Sequence, residues 1–390
     1  MTPVRSEVVS SATVDRIRAE AARFGSIGFD RFMDLALYGP EGFFTSGRGA
    51  GRTERDFVTS PEIGPLFGIC VAGAIDREWE ALGRPDPFIV IEAGAGNGRL
   101  CREVLRARPE CAAALRYVLV ETSATLRAEQ RERLAIEPPE AALGAFLPGV
   151  DDDPPESVEH VGPIVTQLAE LPALAFDGMV LANELLDNLP FALAECDGAG
   201  WNELRIDASL QYVPVALAAA DVAAVAPFAD AQLGARVPLP RVLGPWFADV
   251  RATLRRGVII AVDYAVTGPE LLDRGAGWLR TYRDHQRGGD PLVEPGAFDI
   301  TADVVVEHVI HAALAAGFGE PTTRTQADWL RDLGIDELVD EGERIWTDRA
   351  AIGDLVALEA RSRRAQARAL TDQASVGSLG NFTVFRIPAP

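Results

Sequence analysis

The sequence predicts an α/β protein organised around an open, mostly parallel β-sheet, and three observations carry that expectation. Apolar runs of strand length recur along the chain, and each closes on a polar or acidic residue beyond which a helical pattern begins. One of them, Phe88-Ile-Val-Ile, leads into glycines at positions 94, 96 and 98, the mark of a strand turning sharply into a helix. The chain is 390 residues long and 48% hydrophobic, enough to close a large core around one elaborated domain or two smaller ones.

Ahead of the sheet, Thr13 to Phe24 reads as an amphipathic helix stopped by Gly25, and Phe29 to Leu37 as a second helix before the turn at Tyr38-Gly-Pro. Residues 39 to 59 are rich in glycine and arginine with aromatics interleaved. Within them Gly47-Arg-Gly-Ala-Gly-Arg-Thr lacks the G-K-[ST] ending of a phosphate loop and follows no strand, so it reads as a lid. Ser60-Pro61-Glu62 then places an N-cap before a proline at the first helical position and opens a helix expected to run to Leu82.

The glycine turn carries the first chemical information. Counted from Gly94, the sixth position is Arg99, so the G-x-G-x-x-G fingerprint of hydride cofactors is not met. An acid followed by G-x-G-x-G, here Glu92 to Gly98, is instead similar to the loop with which methyltransferases hold S-adenosylmethionine. A helix over Arg99–Arg108 stops at Pro109, and Tyr117-Val-Leu-Val returns as a strand ending on Glu121, which makes a βαβ unit. Right-handed crossovers bring the carboxyl ends of parallel strands to one edge, so Glu121 is expected beside the glycine loop, accepting both hydroxyls of a ribose. The same acid also suits the N-terminal dipole of a helix over Thr125–Arg133.

Further on, Asp151-Asp-Asp-Pro-Pro-Glu is a surface loop, because strand signals resume beyond it at Ile164-Val-Thr and at Gly178-Met-Val-Leu-Ala. The second of these runs directly into Asn183-Glu184-Leu-Leu-Asp187-Asn-Leu-Pro190. From Phe191 to Val215, short strands around Asp197-Gly-Ala-Gly read as a β-meander inserted over the sheet. Gly257 to Asp263 is another central strand. A helix over Ala302–Ala316, helices from Ala327 to about Leu370 and a terminal strand from Phe382 to Ile387 complete the pattern.

Composition excludes several classes. A formal net charge of −21, with no lysine, argues against generic nucleic-acid binding, suits a cationic substrate, and also serves plain solubility. No apolar stretch reaches membrane-spanning length, and the first residues have neither the apolar core of a signal peptide nor the acid-poor character of a transit peptide. The expected location is therefore cytoplasmic, without membrane insertion. Cys70, Cys101, Cys111 and Cys196 lack C-x-x-C spacing, which fits reduced thiols rather than disulfides or zinc. Glu307-His308-Val-Ile-His311 is not H-E-x-x-H, and no metal is expected.

In an open parallel sheet, ligands occupy the crevice at the carboxyl ends of the strands. The loops after Ile91, Val120, Ala182 and Val262 then converge, carrying Glu92, Glu121, Asn183 with Glu184 and Asp187, and Asp263 with Tyr264. Methyl transfer from a sulfonium needs neither metal nor covalent nucleophile; the protein positions the acceptor and excludes water. A guanidinium acceptor would need carboxylates to hold it and take its proton, and Glu184 and Asp187 stand where that is required. Asn183 suits the adenine or an acceptor amine, although residues 183–190 also read as an ordinary capped helix start. His285, in the polar run Tyr282-Arg-Asp-His-Gln, is a candidate base and equally a solvated loop histidine.

Four blocks together resemble the MidA-type methyltransferases, the group that includes the mitochondrial complex I assembly factor. They are Phe32-Met-Asp-Leu-Ala-Leu-Tyr-Gly-Pro-Glu-Gly-Phe-Phe with Asp56-Phe-Val-Thr-Ser-Pro-Glu62; Glu92 to Gly98; Ala182-Asn-Glu-Leu-Leu-Asp-Asn-Leu-Pro190; and Tyr282-Arg-Asp-His285 with Asp290-Pro-Leu, Glu294-Pro-Gly and Asp299-Ile-Thr-Ala302. The resemblance implies a class I, Rossmann-like sheet, mostly parallel with an antiparallel terminal strand, bearing a helical cap over 1–82 and a catalytic domain over 83–390. Insertions fall at about 191–240 and 265–300. It implies S-adenosylmethionine at Gly94–Gly98 and Glu121. With the reading of the strand ends, the expected cofactor residues are Glu92, Gly94, Gly96, Gly98, Glu121 and Asn183, the catalytic groups Glu184, Asp187 and His285, and the acceptor side Glu62, Asp263 and Tyr264. The implied acceptor is an exposed arginine of a partner protein, a respiratory complex I subunit in the best-known relative; a second copy of the chain is a further partner. Arg55, Asp303 and Gly380-Asn-Phe-Thr-Val-Phe depart from the family's pattern on that side. Two other functions stay open: a small-molecule methyltransferase, and a non-catalytic assembly factor that keeps the cofactor as a structural ligand.

Overall fold

The computed structural model describes residues 11–45, 59–144, 161–283, 286–375 and 377–390. The lid expected at 47–53, the acidic loop at 151–156 and His285 lie outside the described residues. The chain forms two compact units, one of residues 58–185, 249–264 and 317–390, the other of 1–57, 186–248 and 265–316.

The first unit holds a seven-stranded sheet: β1 Phe88–Ala93, β2 Leu115–Val120, β3 Ile164–Leu168, β4 Phe176–Asn183, β5 Leu254–Asp263, β6 Thr322–Thr325 and β7 Thr383–Ala389. Their order is β3-β2-β1-β4-β5-β7-β6. The pairs β3-β2, β2-β1, β1-β4 and β4-β5 are parallel, and β7 runs antiparallel to both its neighbours. Every residue of β1 and β2 is buried, which is why both read as largely apolar stretches, interrupted by Glu92 and Arg116, rather than alternating ones. The chain winds outward in both directions from β1 and β4, so the crevice between their carboxyl ends is the topological switch point. The strand ends lie in step, with Ala93 opposite Val120 and Ala182, and Asn183 opposite Val262.

One expected helix is two. The segment after Ser60 breaks at Gly64 into Ser60–Ile63 and Pro65–Ala81. Proline disfavours helical geometry in the residue before it, and Gly64 takes φ +151°. A Cβ there would lie 2.4 Å from the amide carbon of Gln366, whose Oε1 accepts the Leu66 N–H at 3.0 Å and so caps the second helix from a distant part of the chain. That helix buries Leu66, Phe67, Cys70, Val71, Ala74 and Ile75, an apolar stripe of helical spacing, in the core of this unit.

The second unit has its own core, with Ile17, Phe29, Phe32, Phe191 and Trp278 fully or almost fully buried. The expected meander is present as Ala192–Cys196, Trp201–Ile206 and Tyr212–Ala216, joined by Arg236–Leu239 and the short strand Ile27–Gly28. Asp197 builds its first turn by accepting the N–H groups of Ala199 and Gly200, both at 2.8 Å. The helix expected from Ala302 begins only at Val306, because Asp299–Ala302 and Val304–Val305 are strands; the β-branched run Ile300, Thr301, Val304, Val305 favours that outcome. Likewise Phe29–Met33 is α-helical but passes into a π-helical turn over Asp34–Tyr38.

Candidate active site

At the end of β1 the chain leaves the sheet through Gly94, Gly96 and Gly98, with φ of +69°, +52° and +77°, all in the left-handed region that favours glycine. Hydrogen bonds fix this loop to its neighbours. The N–H groups of Gly94 and Ala95 donate to the Val120 carbonyl at 2.9 and 3.0 Å. The Gly96 N–H donates to Glu121 Oε2 at 3.0 Å, and the Gly96 carbonyl accepts from Gln130 Nε2 at 2.7 Å. A Cβ at Gly94 would lie 2.8 Å from Leu185 Cδ1, and one at Gly98 would lie 2.9 Å from Leu134 Cδ1; at Gly96 it would meet nothing within 4 Å. A side chain at either outer glycine would press on a leucine methyl, and the middle one borders open space in which a ligand can lie against the backbone.

The two acids beside the loop are both engaged. Glu121 Oε1 accepts the Ser123 N–H at 2.8 Å while Oε2 holds Gly96, so one carboxylate fixes the loop and the entry to the helix Ala124–Arg133. Burial raises its pKa. Glu92 lies beneath the loop at 4% exposure, with its Oε2 accepting from the Tyr117 hydroxyl at 2.8 Å. Burial pushes its carboxyl up to about 8, against the opposing pull of the Tyr117 hydroxyl and the Cys101 N–H.

At the end of β4, Asn183 Nδ2 donates to Glu184 Oε1 at 3.2 Å, and the Ser60 N–H donates to the same oxygen at 3.3 Å. Glu184 takes φ +51°, an uncommon backbone state for a residue with a side chain and one that clusters at functional turns. Asn183 Oδ1 is buried and has no hydrogen-bond partner among the described residues. A buried acceptor in that state is costly until a donor reaches it, and an N–H of a bound ligand is such a donor. The Ser60 hydroxyl donates to Gln326 Oε1 at 2.9 Å, and Gln326 Nε2 donates to the Leu370 carbonyl at 3.1 Å.

The remaining expected residues sit differently. Asp263, at the end of β5, is fully buried and accepts the Tyr264 N–H at 2.8 Å; the Tyr264 ring packs on Phe382 with centroids 3.9 Å apart. Glu62 Oε2 accepts the Thr59 N–H at 3.1 Å in a capping box. Asp187 belongs to the second unit, buried on the short turn Leu186–Asn188, where it accepts from the Thr301 hydroxyl. Burial pushes its carboxyl up to about 6, opposed by the Thr301 hydroxyl and the charge of Arg280. The structure thus gathers Glu92, Gly94, Gly96, Gly98, Glu121, Asn183 and Glu184 at one edge of the sheet. Sequence reasoning missed Ser60, Gln130 and Gln326 as parts of this edge; only Ser60 carried a signal, its position before Pro61.

A family of S-adenosyl-L-methionine-dependent methyltransferases matches residues 70–320, most of the chain and all of the glycine loop. The chain belongs to that family. Among solved structures, this methyltransferase is similar to a protein from Burkholderia thailandensis bound to S-adenosyl-homocysteine, at 27% identity and a TM-score of 0.77 over 100% of this chain and 95% of the other. Among curated proteins it is 28% identical to the mitochondrial protein arginine methyltransferase NDUFAF7 homolog of Drosophila melanogaster, over 80% of this chain and 72% of that protein. It is 26% identical to the mitochondrial protein arginine methyltransferase NDUFAF7 of Homo sapiens, over 80% of this chain and 71% of that protein. These relatives overturn the cytoplasmic location expected from the sequence, since both are named as mitochondrial. The acidity of the opening residues was a poor guide, because charge in one short stretch does not determine a compartment. No helix of the described residues is long and apolar enough to cross a membrane.

Proposed function

We propose that this methyltransferase methylates an arginine side chain of a partner protein, with a respiratory complex I-like subunit as the acceptor that family resemblance implies. The observation that carries the reading is the match, over four fifths of the chain, to relatives named protein arginine methyltransferases. The net charge of −21 supports it, since an acidic protein attracts an arginine-bearing partner.

In this reading Gly94 to Gly98 and Glu121 hold S-adenosylmethionine, with Glu92 supporting the loop from below and Asn183 Oδ1 accepting an N–H of the cofactor. When bound, the cofactor supplies a methyl group on a sulfonium, activated without metal or covalent catalysis. Glu184 accepts guanidinium hydrogen bonds at the end of β4. Asp187, like His285, is assigned as a proton acceptor on sequence grounds alone. We assign Glu62, Asp263 and Tyr264 to the walls of the site, since the two carboxylates accept the N–H groups of Thr59 and Tyr264 and the Tyr264 ring packs on Phe382.

The test is transfer of labelled methyl from S-adenosylmethionine into proteins of a host lysate, followed by mass spectrometry of each labelled band. Methylated arginine is the expected product. Label confined to small molecules, or no label despite cofactor binding, overturns the proposal in favour of a metabolite enzyme or an assembly factor.

A further inference from the structure

We propose that Arg99 holds the carboxylate of the cofactor's amino-acid end, while Asn183 receives its ammonium. This rests on the placement of S-adenosylmethionine along Gly94–Gly98 proposed above.

A guanidinium drawn into a protein needs acceptors for its N–H groups, and an unmet donor there is costly. Acids outnumber basic residues 58 to 37 in this chain, so an arginine readily finds a carboxylate. Arg99 does not. It is half-buried and forms no ion pair among the described residues. Its guanidinium reaches the Glu62 carbonyl through Nη2 at a long 3.5 Å, and its Nε–H is buried with no acceptor among the described residues.

The surroundings say what that donor faces. Arg99 is the first residue of the helix Arg99–Ala107, directly after Gly98, which has no side chain to cap the helix; a helix start of this kind favours an anion. From there the side chain reaches the short helix Ser60–Ile63, whose Ser60 N–H donates to Glu184 Oε1 at 3.3 Å. The same oxygen accepts from Asn183 Nδ2 at 3.2 Å, and Asn183 ends β4, the strand beside β1 from which the glycine loop departs. These contacts form a closed circuit through the loop, and Gly96, where a Cβ would meet nothing within 4 Å, belongs to it.

Two buried polar atoms on the circuit lack partners among the described residues: a donor, the Arg99 Nε–H, and an acceptor, Asn183 Oδ1. The first suits a negative group and the second an N–H. An α-amino acid carries both on one carbon, whereas the ribose and adenine of the cofactor carry no negative group. A guanidinium takes a carboxylate through two parallel N–H bonds, and the Nε–H supplies one of them.

Calorimetric titration of the whole chain with S-adenosylmethionine and with its decarboxylated form, which keeps the ammonium, isolates the carboxylate. The wild type should bind the intact cofactor about thirtyfold more tightly, the scale of a hydrogen-bonded charge pair. Arg99→Met keeps the stem and removes the charge, so it should weaken the intact cofactor about thirtyfold and leave the decarboxylated form within about twofold. Asn183→Ala should weaken both, because both keep the ammonium. Equal affinity of the wild type for the two ligands overturns the proposal without any variant. An Arg99→Met protein that loses both ligands alike, as expected of an arginine that only braces the loop, overturns it too, as does one that keeps the wild-type preference. Gly96→Val tests the placement of the cofactor separately. If it binds both ligands as wild type, that placement fails; if it loses both while Arg99→Met keeps the preference, only the role of Arg99 fails.

Discussion

Gly96 offers a substitution in which folding and binding come apart. Its φ of +52° is left-handed, so any L side chain there costs roughly 1–2 kcal/mol, more for a β-branched one. No packing cost adds to this, because a Cβ at Gly96 meets nothing within 4 Å. Gly96→Ala should therefore lower the melting temperature of the sheet-bearing unit by only about 2–4 °C per kcal/mol. Gly96→Val places three methyl-sized carbons in the open space beside the loop. If that space receives the cofactor, affinity for S-adenosyl-homocysteine should fall at least about a hundredfold, close to 2.7 kcal/mol, by calorimetric titration. Gly94→Ala is the contrasting case, since its Cβ would press on Leu185 Cδ1 at 2.8 Å and the damage should appear first in the thermal melt. Retained micromolar binding by a folded Gly96→Val protein would refute the cofactor assignment. Unfolding of Gly96→Ala would refute the claim that the middle glycine borders open space.

Asp187→Asn should leave S-adenosyl-homocysteine binding intact and lower methyl transfer by about a hundredfold, the usual scale of a lost general base. In the parent protein, transfer should decline as pH falls through about 6, where Asp187 takes a proton, and an unchanged rate in Asp187→Asn would remove it from the acceptor site. Ser60→Ala should cost roughly 1–3 kcal/mol in denaturant titration, because Gln326 Oε1 then loses its buried donor. Arg241 joins Asp221 at 2.7 Å and Glu203 at 2.8 Å, both nearly buried carboxylates, so Arg241→Ala should destabilise the second unit by about 3 kcal/mol while leaving cofactor affinity within twofold.

The sheet was legible in the sequence because its central strands are buried on both faces: Phe88–Ala93 and Leu115–Val120 have no exposed position, and each is apolar but for one or two residues, Glu92 in the first and Arg116 and Tyr117 in the second. What the sequence obscured were choices settled by distant partners. The helix break at Gly64 depends on Gln366, about three hundred residues away, and the late start of the helix at Val306 depends on strand pairing of Asp299–Ala302 with Leu279–Tyr282. Neither partner leaves a periodic trace near the element it shapes. Neutral amides are the extreme case, since Gln130 and Gln326 look like surface residues until the backbone groups they serve are known.

The same limit applies to the carboxylates. Sequence spacing placed acids at four strand ends, but it could not say what each would accept. Glu92 takes the hydroxyl of Tyr117, Glu121 the N–H groups of Gly96 and Ser123, and Asp263 the N–H of Tyr264. Glu121 and Asp263 answer the backbone's own need for acceptors where strands end, a need that arises whether or not a ligand binds, while Glu92 satisfies a buried hydroxyl. The turn after β4 is different in kind. There an asparagine oxygen is buried without a donor among the described residues, beside a glutamate held at positive φ, so both a polar group and a backbone state stand at higher energy than local structure requires. A fold keeps such costs where function offsets them: at Asn183 by a donor from the cofactor, and at Glu184, more than at the glycines, by the acceptor whose identity should be sought there.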